Sequence, residues 1–134
     1  MYVLFLDDIR QPDQVTWAEF PRYDTIFIIR GYQGFVDQVN FHGLPKFVCF
    51  DHDLADSHYA VMEEENSYTY DDGDLKKTFD YGPEKTGYDC AKWLVDYCEK
   101  KGLKFPRYVV HSMNPAGKER IQGYIENAKK NLDI

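Results

Sequence analysis

The sequence has 134 residues, 43% hydrophobic and 16% aromatic, which fits one globular domain (1–134) with a real core and argues against disorder. Its net charge is −7, and −6 of that lies between Leu54 and Lys85, where nine acids meet three lysines. The near-neutral remainder has no basic stripe, which excludes an extended nucleic-acid surface and leaves only a local grip on an end or a single nucleotide.

The first apolar run, Tyr2–Leu6, is short and continuous, as expected of a strand covered on both faces, and leads straight into Asp7-Asp8-Ile9-Arg10. Thr16-Trp17-Ala18-Glu19 could start a helix, which Pro21 would stop within a turn. A second strand, Thr25–Ile29, ends at Arg30. Tyr32, Phe35, Val36 and Val39 recur at helical spacing, and Gly43 with Pro45 close that helix. The third strand, Phe47–Phe50, runs into Asp51-His52-Asp53.

The stretch from Leu54 to Lys85 is polar and too long for an ordinary connection. Inside it, Ser67–Tyr70 and Lys77–Phe79 flank Asp72-Gly73 and read as a β-hairpin, within either a mobile surface insertion or an ordered lid. Thr86 with Asp89 resembles a capping box, and Cys90, Ala91, Leu94, Val95 and Cys98 form an apolar face that ends before Gly102. The fourth strand, Tyr108–Val110, runs into His111-Ser112-Met113-Asn114. Asn114-Pro115 then caps a helix with a stripe of Ile121, Tyr124, Ile125, Ala128 and Leu132. Strands alternating with helices imply a parallel α/β sheet with right-handed crossovers.

Three cysteines with no CxxC pair, each inside an apolar pattern, read as reduced buried thiols. With no secretory pattern and no apolar run of membrane length, the expected location is cytoplasmic, without a membrane partner.

The polar residues gather at strand ends, and in an open parallel sheet those ends share one ligand-binding edge. Clustered carboxylates repel unless a cation neutralises them, so Asp7, Asp8 and Asp51 are candidate ligands of Mg²⁺ or Mn²⁺. His52, between two acids, is a candidate proton donor, with Asp53 beside it. His111 is either a second catalyst or a hydrogen-bonding strut. Candidate phosphate-binding groups are Arg10, Arg30, Ser112 and the helix start at Asn114 and Gly117, with Lys118 and Arg120 adding charge. A ligand's close approach would explain a glycine at Gly117.

Taken in order, Leu4–Pro12, Phe50–Leu54, Thr86–Asp89 with Trp93-Leu94, and His111–Gly117 resemble the cyclic-phosphate-processing receiver-like (cREC) family. The resemblance implies a receiver-like (Rossmannoid) sheet of about four strands in order 2-1-3-4 with helices on both faces; the long acidic insertion at about 54–85 departs from the family's compact pattern. It also implies an acidic pocket adapted to cyclic phosphates on a nucleotide or RNA end, with Asp7, Asp8, Arg10, Asp51, His52, Asp53, His111, Ser112 and Asn114 as its active positions.

The reading that follows is a metal-dependent phosphoesterase. A non-catalytic nucleotide or cyclic-oligonucleotide binding protein presents the same donors. A phospho-accepting receiver would also need a fifth strand ending in Lys, which the sequence does not offer. A haloacid-dehalogenase-like phosphatase would need Gly and Thr where Ala55 and Asp56 stand.

Overall fold

The computed structural model describes residues 1–54 and 85–134. The expected hairpin, and all but the ends of the acidic stretch, lie outside the described residues.

Four strands form one parallel sheet: β1 (Val3–Leu6), β2 (Ile26–Ile29), β3 (Phe47–Phe50) and β4 (Arg107–Val110), in the order β2-β1-β3-β4. This is the expected 2-1-3-4 order. Side chains of β1 and β3 are buried throughout, whereas β2 and β4, at the two edges, are partly open. Three α-helices are described: α1 (Tyr32–His42), α2 (Gly87–Lys101) and α3 (Pro115–Leu132).

The alternation of side chains along each strand sorts them into two cores. Tyr2, Leu4, Leu6, Val48, Phe50 and Val110 point to the face that carries all three helices, through Phe35 and Val39 of α1, Leu94 and Cys98 of α2, and Ile121 and Ile125 of α3. Val3, Phe5, Phe47 and Cys49 point to the other face and pack against Val15 and Phe20. Helices were expected on both faces. Among the described residues the second face is covered by the β1–β2 connection, whose one helical element is a 3-10 turn at Pro12–Gln14.

Crossover handedness gives the reason. The steps β2→β3 and β3→β4 run the same way across the sheet, so right-handed crossovers put their helices on one face. The step β1→β2 runs the opposite way and lands on the other. Thr16–Glu19 does not form the expected helical turn. Pro12, with its φ fixed, starts the turn earlier, and the following residues are drawn apart: Val15 is buried in the core, and the Trp17 indole donates to the His111 carbonyl at 2.8 Å.

The helix ends follow the sequence. Thr86 accepts from the Tyr88 N–H while Asp89 accepts from the Thr86 N–H, and Gly102 stops α2 in the left-handed region at φ 67°. Asn114 caps α3, accepting from the Gly117 N–H at 3.0 Å. Cys49, Cys90 and Cys98 are free and buried, and burial pushes the Cys49 thiol up to about 12 and the Cys98 thiol up to about 11. Among the described residues no helix is long and apolar enough to cross a membrane.

Candidate active site

The strand order reverses at β1, which opens a crevice beyond the carboxyl ends of β1 and β3. A cleft of about 290 Å³ occupies this edge. Its wall comes from three loops: Asp8, Ile9 and Arg10 after β1, Asp51 and Asp53 after β3, and Ser112, Met113 and Asn114 after β4.

Asp7 and Asp51 are the buried acids of this edge, at 0% and 4% exposure. One Asp7 oxygen accepts from the backbone N–H groups of Ile9 and Arg10, at 3.0 and 2.9 Å, which folds the loop tightly around it. The other oxygen meets His111 Nε2 at 2.9 Å and lies 3.6 Å from the Arg10 guanidinium. Burial alone would raise the Asp7 pKa, but the His111 hydrogen bond and the two backbone donors outweigh it and hold this carboxyl well below its ordinary range. Asp51 has weaker compensation. Its Oδ1 accepts from the His52 N–H at 2.8 Å, yet burial, reinforced by the charges of Asp7 and Asp8, pushes its pKa up to about 7.

Such a pair is a conflict that a cation would resolve. Asp7, Asp51 and His111 offer ligand atoms that all lie within 4.8 Å of one another. His111 is wholly buried, with its ring stacked on Phe5 at a centroid separation of 4.9 Å. Its Nδ1 has no hydrogen-bond partner among the described residues. With Nε2 donating to Asp7, the unpartnered Nδ1 is the ring's second nitrogen, turned away from the carboxylate. Asp8, the third acid selected from the sequence, is not part of this cluster and lies on the cleft wall.

The other sequence-selected residues divide into two groups. Asp53 is on the cleft wall, with its Oδ1 2.8 Å from His52 Nδ1 and its two oxygens 3.4 and 3.3 Å from Asn114 Nδ2. Ser112 is buried against the cleft and its hydroxyl accepts from the Asn114 N–H. Arg30 stands further back, where its guanidinium donates to the carbonyls of Asp7 and Arg10 and ties β2 to the β1 loop. Lys118 and Arg120 are exposed on α3, and the Arg120 guanidinium lies 4.2 Å from the Tyr88 ring centroid, so neither is on the cleft wall.

Two glycines fix the β3 loop. A Cβ on Gly117 would lie 2.5 Å from Cγ of His52, so the small residue at the start of α3 is explained by the imidazole packed against it. A Cβ on Gly87 would lie 1.6 Å from the Asp51 carbonyl oxygen, and the Gly87 N–H donates to the His52 carbonyl at 2.8 Å. The first turns of α2 and α3 thus clamp the segment that carries Asp51, His52 and Asp53. Sequence reasoning did not single out Gly87, Trp17, Ile9 or Met113. For Ile9 and Met113 the available signal was a large apolar residue inside an otherwise polar strand-end loop; Gly87 and Trp17 had no such signal.

The family described as the cyclic-phosphate processing receiver domain matches residues 2–127. No curated protein and no solved structure matches the chain.

Proposed function

The chain belongs to the cyclic-phosphate processing receiver family, and on that premise we propose that it is a cytoplasmic metal-dependent phosphoesterase opening a cyclic phosphate on a nucleotide or RNA end. The observation that carries this reading is the pair of buried carboxylates, Asp7 and Asp51, set behind an open cleft with Arg10 beside them.

Asp7 and Asp51, with Asp8, would hold Mg²⁺ or Mn²⁺, which supplies charge neutralisation and polarisation of a phosphoryl oxygen when bound. Arg10 donates to the phosphate and stabilises the charge that grows on it. Ring opening adds a water oxygen to phosphorus and breaks one phosphorus–oxygen ester bond; the water loses a proton and the leaving oxygen gains one. Asp53 faces the cleft and accepts the proton of the attacking water, while the leaving oxygen is protonated from solvent through the open mouth. His52 acts behind Asp53, fixing that carboxylate through Nδ1, with Asn114 on its other side. The sequence alone suggested that the two histidines divide the proton transfers. The burial of His111 and its bond to Asp7 support a different part for it, holding a metal ligand in place.

One observation favours a second reading. Neither His52 nor His111 lines the cleft, so a protein that sequesters a nucleotide without turning it over would present the same wall. Incubating substoichiometric protein with cyclic mononucleotides and with RNA bearing cyclic ends, with Mg²⁺ or Mn²⁺ present or chelated, separates the two. Metal-dependent accumulation of ring-opened monoester supports the phosphoesterase. Saturable binding with all ligand recovered intact supports sequestration.

A further inference from the structure

The cleft has an apolar component that phosphate chemistry does not use. Ile9 and Met113 line it and are among its most exposed groups, at 61% and 63%. They come from the loops after β1 and β4, and so stand to either side of Asp51 and Asp53 at the end of β3. The two loops are drawn together by the His111–Asp7 hydrogen bond, and the β4 loop is held again by the Trp17 indole on the His111 carbonyl. Arg10, next to Ile9, has its guanidinium 5.3 Å from the Trp17 ring centroid. A polar, acid-rich cleft flanked by two exposed apolar side chains on fixed loops matches an amphiphilic ligand, with a phosphoryl group at one end and a flat apolar group at the other.

We infer that Ile9 and Met113 form the base-binding subsite of this cleft, gripping the nucleobase of the nucleotide whose phosphate lies against Arg10. This rests on the phosphate reading given above. The cleft volume of ≈ 290 Å³ is at the lower limit of ligand pockets, about 300–1,000 Å³, and therefore suits one nucleotide rather than an oligonucleotide. Met113 is unbranched and polarisable, which lets it follow the face of any base and gives grip without sequence selectivity.

The test uses the products of ring opening, so that turnover does not interfere: adenosine monophosphate and methyl-riboside monophosphate, titrated calorimetrically into the protein with Mn²⁺. The wild type should bind the adenosine compound about 10-fold more tightly, the scale of burying part of two apolar side chains against a base. The double variant Ile9→Ala, Met113→Ala should lose that preference while binding the base-free compound as before, and Met113→Leu alone should retain most of it. Both positions are exposed, so the fold should persist, checked by circular dichroism. Equal binding of the two compounds to wild type, or equal weakening of both in the double variant, would overturn the subsite while leaving the phosphate site standing. Binding of neither compound would remove the phosphate site and the subsite together.

Discussion

At the scale of single residues, Asp51 and Asp7 respond to pH in opposite directions. Burial raises the Asp51 carboxyl to about 7, so the folded chain holds this proton more tightly than the unfolded chain does. The resulting penalty is absent at acidic pH, below the ordinary carboxylate value, and grows as pH rises towards 7. Metal-free protein should therefore lose stability over that interval, by at most roughly 4 kcal/mol at 1.36 kcal/mol per unit. Asp7, held below its ordinary range, contributes stability that is lost only on further acidification. Asp51→Asn should accordingly raise the melting temperature of metal-free protein at neutral pH and flatten its decline above acidic pH. A lower melting temperature for the variant at neutral pH would mean that Asp51 is not under electrostatic stress. For His52, which orients Asp53 through Nδ1, replacement by Ala should reduce turnover by about 10–100-fold, the scale on which lost outer partners lower activity, with ligand affinity changed only a few-fold. Near-wild-type turnover in that variant would remove His52 from the mechanism.

At the scale of elements, the site depends on how α2 and α3 begin. Gly117→Ala must displace the His52 imidazole, a far smaller clash than Gly87→Ala, which meets the Asp51 backbone itself. Gly117→Ala should cost about 1–3 kcal/mol of stability, as overpacked sites do, and should impair turnover more than phosphate affinity. Gly87→Ala should be the more damaging variant in a denaturant titration, and equal, small effects would contradict the clamp. Thr86→Ala removes the α2 cap and should cost about 0.5–2 kcal/mol.

The same elements show how far the sequence can be read. Continuous apolar runs located all four strands, and the Thr86–Asp89 and Asn114-Pro115 signals located the starts of α2 and α3, because strand periodicity and capping are local properties. The strand-end acids gathered at one edge because a parallel sheet requires it. What stayed hidden was relational: Gly87 against Asp51, Gly117 against His52, Arg30 turned onto the β1 loop, and the Trp17 indole fastened to the loop after β4. Contacts such as these, between residues up to 94 positions apart, have no local periodicity to announce them.

At the scale of the whole molecule, charge and topology act on different partners. With −6 of the net −7 between Leu54 and Lys85 and the rest nearly neutral, the charge pattern leads us to expect no long-range pull on a polyanion. RNA binding should then depend on the end and not on the length. Short and long oligonucleotides with the same cyclic end should bind within about 3-fold of each other, with a shallow salt dependence. Affinity rising steeply with length would reveal a basic track that the sequence does not contain. Topology sets the site itself: the reversal of strand order at β1 puts Asp7 and Asp8 beside Asp51, and the metal-dependent account follows from that juxtaposition. The most direct test is a calorimetric titration of Mg²⁺ and Mn²⁺ into wild-type protein and into Asp51→Asn at neutral pH. The account predicts saturable binding of one divalent ion to the wild type and at least about 10-fold weaker binding to the variant, the scale on which altered metal sites lose affinity. Equal affinity in the two proteins, or no binding to the wild type, would contradict it.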